Sequence, residues 1–247
     1  MQSKIEFLEF VEKTNSTTKT DELFLLLEGT LADLGYDRFV YSLLTDHASL
    51  GKKAGHGEFI NYPDDWFQHY LEKRYVHLDP VIKYAGQYRG AFLWGGLEKS
   101  HRLSAAEKNV LSEGRDAGLL DGVGIPIHGM GGELAGFGIA SSSGGVDANK
   151  DQLSLLFAVA NQFHLAYGAL HKNSAQAQYP PPALTIRELE VIKWCAMGKS
   201  NWDIAKILSI SEHGVEYHIR NIFKKFEVNS RVAAVVKALR FGFIDDL

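Results

Sequence analysis

The chain has 247 residues, 45% of them hydrophobic, with a net charge of −4, so it reads as an ordinary soluble protein with material for one large or two smaller domains. No run approaches the ~18 uninterrupted apolar residues of a membrane-spanning helix, and Glu6 interrupts the amino terminus early, so a cytoplasmic protein without a membrane partner is expected. The single cysteine, Cys195, excludes an internal disulfide and reads as a small core residue.

In chain order, Leu23 to Leu34 is an apolar helical pattern ended by Gly35, and Phe39 to Leu44 follows as an extended run. Pro63 opens a helix that carries Trp66 and Tyr70 four residues apart, on one face. Ser104 and Glu107 form a capping box that starts a helix ending near Gly118. Two extended runs, Gly122 to Ile127 and Leu134 to Ala140, flank the turn Gly129-Met130-Gly131-Gly132 and predict an antiparallel hairpin. A long apolar helix, about Gln152 to Leu170, closes a domain spanning 1–171. This order predicts an α/β/α sandwich around a mostly antiparallel sheet.

Residues 172–182 are small and polar and end in Pro180-Pro181-Pro182, half of the chain's 6 prolines, so they read as a linker. Beyond it the charge changes sign: residues 175–247 carry 10 Lys and Arg against 8 Asp and Glu, whereas the rest carries 16 against 22. That margin says little by itself about nucleic acid, and the pattern must carry the case.

Residues 183–247 predict four helices, making the whole chain α+β. Thr185 and Glu188 form a second capping box, Leu189, Ile192 and Ala196 make the apolar stripe, and Gly198 stops the first helix. Ser200 caps a second helix with Asp203 at its third position, and Ser211 caps a third after only Ser209-Ile210, which is a helix-turn-helix arrangement. On the third helix Val215, Ile219, Ile222 and Phe226 face a core, while Glu216, Tyr217, Arg220, Asn221 and Lys224 project outward. Arg220 suits guanine, Asn221 adenine and Glu216 a cytosine amino group; Lys199, Lys224, Lys225 and Arg231 suit phosphates, and Ser200 completes the candidate DNA set. Ser230 caps a fourth helix carrying Val232, Val235, Val236 and Leu239, and Trp194 and Trp202 read as core or interdomain aromatics. From the helices alone, an exposed polar face is the preferred explanation of the outward residues.

The extended pattern separates the two readings. Leu184-Thr185-x-Arg187-Glu188-x-Glu190-Val191-Ile192, Gly198-Lys199-Ser200, Ile204-Ala205, Leu208-Ser209-Ile210-Ser211, Val215, His218, Ile222, Lys225, Phe226, Val228 and Arg231 closely resemble the C-terminal signature of the LuxR family. The resemblance implies binding to double-stranded promoter DNA as a homodimer, with RNA polymerase as a further partner. The fourth helix would then contribute either to dimerisation, as in relatives, or to packing within its own domain. Asp203 stands where the family has glutamate and Gly214 where it has threonine; the glycine weakens the start of the third helix by about 0.5 to 1 kcal/mol relative to alanine.

Such tails follow several kinds of input domain. A phosphorylated receiver would need an acidic pair after its first strand, but Asp64-Asp65 follows Pro63 at a helix start. Instead, Tyr62-Pro63-x-x-Trp66-x-x-x-Tyr70, Asp79-Pro80-Val81, Phe92-Leu93-Trp94, Gly118-x-x-x-Gly122 and Ile125-Pro126-Ile127 resemble the autoinducer-binding domain of quorum-sensing LuxR receptors for N-acyl homoserine lactones. The resemblance implies that effector and no other cofactor. The Trp66 indole would donate to the lactone carbonyl, Asp79 would accept from the amide N–H, Tyr62 would donate to the amide carbonyl, Tyr70 would share the Trp66 face, and Trp94 would wall the ring. Gly138 stands where the family commonly has serine or threonine, and Gly124 replaces another polar residue, so open volume and an acyl group bulky near its amide are expected rather than a plain 3-oxo chain. The other readings are a regulator of this kind answering a different small molecule, and an enzyme acting on such a ligand. Histidines from His47 to His171 lack metal-ligand spacing, and no nucleophile motif has an identifiable base.

Overall fold

The computed structural model describes residues 2–146, 148–178 and 182–244, with the side chains of 2–6, 130 and 172–178 left aside. Two compact units result, one holding residues up to 129 and 133–175, the other residues 130–132 and those from 176 onward.

The first unit runs α1 (Gln2–Ser16), α2 (Thr20–Asp33), β1 (Arg38–Leu43), β2 (Gly55–Ile60), α3 (Asp64–Glu72), α4 (Pro80–Ala85), β3 (Phe92–Leu93), α5 (Trp94–Ser100), α6 (Ala105–Asp116), β4 (Leu120–His128), β5 (Leu134–Ser141) and α7 (Lys150–Gln178). The five strands pair in the order β2-β1-β5-β4-β3, antiparallel throughout. Because successive strand residues face opposite sides, Phe39, Tyr41 and Leu43 on β1, Val123, Ile125 and Ile127 on β4, and Phe137 and Ile139 on β5 meet Leu23, Leu27 and Leu31 of α2 and Leu156, Phe163 and Tyr167 of α7 in one core. The alternate positions are small: Val40 and Ser42, Gly122 and Gly124, Gly136 and Gly138. Helices α3 to α6 cover this second face.

The hairpin, the Ser104–Glu107 capping box and the helix stop at Gly118, where φ is +84°, all form as the sequence predicts. The elements α1, β2, α4, β3 and α5 carry no clear periodic signal in the sequence. Helix α7 continues to Gln178, so the first seven residues of the expected linker are helical; residues 179–181 lie outside the described residues. By length and composition Lys150–His171 would suffice to cross a membrane, yet Leu156, Val159, Ala160, Phe163 and Tyr167 pack it on the sheet.

The second unit is α8 (Ile186–Ala196), α9 (Asn201–Leu208), α10 (Glu212–Phe226) and α11 (Arg231–Arg240). Capping boxes at Thr185/Glu188 and Ser200/Asp203 start the first two helices. Ser211 caps α10 by accepting from the Gly214 N–H at 3.0 Å, so the glycine is held inside a regular first turn. The predicted stripe Val215, Ile219, Ile222 and Phe226 is buried, together with Val191, Ile192, Cys195 and Ile204. On α11 the alanines Ala234 and Ala238 are buried, while Val232 and Val236 are exposed. Trp194 joins the core edge, but Trp202 corrects its prediction: it is 52% exposed, with the Lys206 ammonium 3.4 Å from its ring centroid.

Candidate ligand cavity and nucleic-acid interface

Under α3 to α6 lies a mostly apolar cavity walled by the sheet and these helices. All six predicted residues, Tyr62, Trp66, Tyr70, Asp79, Trp94 and Gly138, line it, as does Gly124. They come from four places in the chain. Trp66 and Tyr70 project from one face of α3, with ring centroids 5.9 Å apart and nearly edge to face. Asp79 caps α4, its Oδ1 accepting from the Val81 N–H at 2.8 Å, and Pro80 supplies the first helical position without a donor to satisfy.

The second carboxylate oxygen, Oδ2, accepts from the Tyr70 hydroxyl at 2.9 Å. Asp79 is partly buried and lines the cavity. Burial raises its pKa to about 6, against the opposing bonds from Val81, Tyr70 and Ile82. Burial and the Asp79 charge push Tyr62 and Tyr70 up as well, so both hydroxyls stay protonated and act as donors. The Trp94 Nε1 is buried with no hydrogen-bond partner among the described residues.

The bare sheet face is occupied from above, which corrects the expected open volume. A Cβ at Gly122 would lie 1.9 Å from the Trp94 ring, one at Gly124 2.3 Å from the Phe92 ring, and one at Gly138 2.7 Å from the Tyr62 hydroxyl. The glycines let aromatic side chains rest on the backbone, and the space at Gly124 and Gly138 is taken by Phe92, Tyr62 and Trp94. No room for a group bulky near the amide follows from them.

The lid over the cavity is tied by polar contacts outside it. Glu113 on α6 accepts from the Tyr75 hydroxyl at 2.8 Å and from Asn109 at 2.6 Å, and its carboxylate meets His69 Nε2 at 2.7 Å. These bonds, Tyr75's first, hold its pKa below the usual carboxylate range. Lys83 of α4 reaches Glu107 of α6 at 2.5 Å. The sequence reading missed Ser42 and His56, which also line the cavity. Among the described residues no group of three metal-ligating side chains occurs.

In the second unit the outward face of α10 carries Glu216, Tyr217, Arg220, Asn221 and Lys224, with Tyr217 61% exposed. Glu216 and Arg220 already pair, at 2.5 Å across one turn, so reading a base with either requires breaking a surface ion pair of small worth. Lys199 is exposed at the start of α9. Ser200 is committed to its cap, its hydroxyl donating to Asp203 at 2.6 Å. Two residues expected to meet phosphates already hold partners within their own unit. Lys225 donates to Glu188 at 2.6 Å and to the Ala183 carbonyl at 2.9 Å, because it follows Ile222 by three residues and so borders the buried stripe. Arg231 donates to Asn201 at 3.0 Å and to the Lys199 carbonyl, tying the start of α11 to that of α9.

Residues 19–167 match the family described as the autoinducer binding domain, and residues 182–238 match bacterial regulatory proteins of the luxR family. The chain is 31% identical over 243 residues to the putative HTH-type transcriptional regulator y4qH of Sinorhizobium fredii, covering 98% of this chain and 74% of that one. It is 30% identical over 243 residues to the transcriptional activator protein LuxR of Aliivibrio fischeri, covering 96% and 94%. Its fold is similar to that of SdiA in complex with octanoyl-rac-glycerol, with a TM-score of 0.70, 22% identity, and coverage of 100% and 96%.

Proposed function

The chain belongs to the LuxR family of bacterial regulatory proteins, with an autoinducer binding domain ahead of the DNA-binding tail, and from that membership we propose that it is a quorum-sensing regulator whose effector is an N-acyl homoserine lactone. The observation that carries the reading is the head of the cavity. Asp79 offers a carboxylate already held by Tyr70 and Val81, Tyr62 offers a protonated hydroxyl, and Trp66 offers an indole. The Asp79 carboxylate accepts from the ligand's amide N–H, the Tyr62 hydroxyl donates to the amide carbonyl, and the Trp66 indole donates to the lactone carbonyl. Trp94, flat on Gly122, walls the ring, and the apolar remainder takes the acyl chain.

Loaded with ligand, the protein acts in the cytoplasm as a homodimer on an inverted-repeat promoter element, its two α10 helices about one DNA turn (~34 Å) apart. There Tyr217, Arg220 and Asn221 face base edges, while Lys199 and Lys224 meet phosphates. It activates transcription with RNA polymerase and carries out no chemistry on the ligand. Thermal melts of the full chain with a panel of acyl homoserine lactones test the reading. At a hundredfold excess over the dissociation constant, a binding lactone stabilises the protein by about 2.7 kcal/mol; superimposed melts across the panel would overturn it.

A second reading has one observation in its favour. The fold-similar SdiA is recorded with octanoyl-rac-glycerol, and the Asp79 carboxylate accepts from a glycerol hydroxyl as readily as from an amide N–H. Stabilisation by octanoylglycerol with none from any lactone would favour an acylated glycerol as effector.

A further inference from the structure

Away from Asp79 the cavity wall is interrupted by one polar pair. The β1–β2 register shifts between Tyr41, opposite Phe59, and Leu43, opposite Gly55. The intervening β2 residues His56, Gly57 and Glu58 therefore bulge against the single residue Ser42, and Gly57 takes the φ of +76° that the bulge needs. The bulge brings the Gly57 N–H into hydrogen-bond range of Ser42, with its nitrogen 3.1 Å from Oγ, and sets His56 Nδ1 at 3.0 Å from the same oxygen. The imidazole stacks on the Tyr70 ring, centroids 5.0 Å apart and 17° from parallel, and Tyr70 in turn bonds Asp79.

The proton positions follow from this arrangement. Ser42 is buried, its oxygen accepts from Gly57, and among the described residues the only acceptor for its own hydrogen is His56 Nδ1. Nδ1 is thus the acceptor, and Nε2 carries the ring proton. Burial lowers the His56 pKa to about 4, so the ring is neutral at pH 7. No protein acceptor meets Nε2 among the described residues, although His56 lines the cavity.

We propose that His56 reads an oxygen on the ligand's acyl chain: Nε2–H donates to a keto or hydroxyl oxygen placed beyond the amide, one ring-stack from the Asp79 head. The inference rests on the acyl-lactone reading above and adds to it which chains are preferred. Ser42 is a positioning residue, acting by fixing the imidazole tautomer.

The test measures dissociation constants of the full-length protein for octanoyl homoserine lactone and for its analogues bearing a keto or hydroxyl group at each of carbons 3 to 7. Wild type is expected to bind at least one oxygenated chain about five- to tenfold tighter than the plain one, the size of one good hydrogen bond. H56F, which retains a ring to stack on Tyr70, is expected to bind both equally. Equal binding by wild type, or a preference that persists in H56F, would overturn the proposal. Binding of no lactone at all would instead overturn the lactone reading, and the proposal with it. If the unliganded melt shows H56F unfolded, S42A carries the test: releasing the tautomer shrinks the preference, and an undiminished preference contradicts the role of His56.

Discussion

Each of the two domains buries a carboxylate at the start of a helix, and the two are completed differently. Glu188 of α8 is desolvated, but Lys225 and the Thr185 backbone and hydroxyl answer it so fully that its pKa stays below the ordinary value. Asp79 of α4 has only neutral donors, and burial wins, raising its pKa to about 6. One site is closed by its own chain. The other lies beside an unpartnered indole and unfilled space, an arrangement that is costly until something binds, because buried polar groups lose water without full compensation. The DNA-binding domain therefore satisfies its buried carboxylate from its own chain, whereas the autoinducer binding domain leaves polar groups of its cavity open to a partner.

The largest effect that can break this comparison is on ligand response. Asn at position 79 keeps an oxygen to cap α4 but presents an amide where the ligand's N–H needs an acceptor. D79N should lose the whole ligand-linked stabilisation, about 2.7 kcal/mol at hundredfold excess, while the unliganded variant at pH 7, relieved of a buried charge, is no less stable than wild type. Glu188→Ala should do the reverse, costing about 2 kcal/mol of stability with or without ligand, since it leaves the Lys225 ammonium and the Thr185 cap without their acceptor. Chemical denaturation of each variant, with and without lactone, reads both.

A smaller effect is the dependence on pH. The Asp79 carboxyl ionises near 3.8 when unfolded and near 6 when folded, so its contribution to unliganded stability is present below about pH 3.8 and is lost as pH rises through 6. His56 and His164, both lowered to about 4 by burial, act oppositely and lose stability as pH falls from 6.5. The informative quantity is thus wild type minus D79N, which should decline between pH 4 and 6; a flat difference would mean that Asp79 is not desolvated. The smallest expected effect separates neighbouring lysines. K224A should weaken DNA binding about equally for all sequences and lower the salt slope by about 1, whereas K225A should act on stability instead.

The same contrast governs what the sequence reveals. Caps such as Thr185/Glu188 and the stripe from Val215 to Phe226 are signals contained within a turn or two of helix, so the second domain was legible almost residue by residue. The partners of Lys225 and Arg231 are not legible locally, because Glu188 lies 37 positions from Lys225 and Asn201 lies 30 from Arg231. In the first domain, the head group at Tyr62, Trp66 and Asp79 was readable through family spacing. The glycines were read as vacancies, because nothing local says that Phe92, Trp94 and Tyr62 fold over them. His56 has no local signal, since β2, Gly55–Ile60, is half-buried at every position and lacks the alternation that marks a strand.

Hydrogen–deuterium exchange of the full chain with and without a stabilising acyl homoserine lactone tests the central claim most directly. Ligand should slow exchange at the backbone around the cavity, in β1, α3, the Asp79–Ile82 turn, β4 and β5, and leave the core amides of α8 to α10 unchanged. Unaltered exchange around Asp79 in the presence of a lactone that binds would contradict the account.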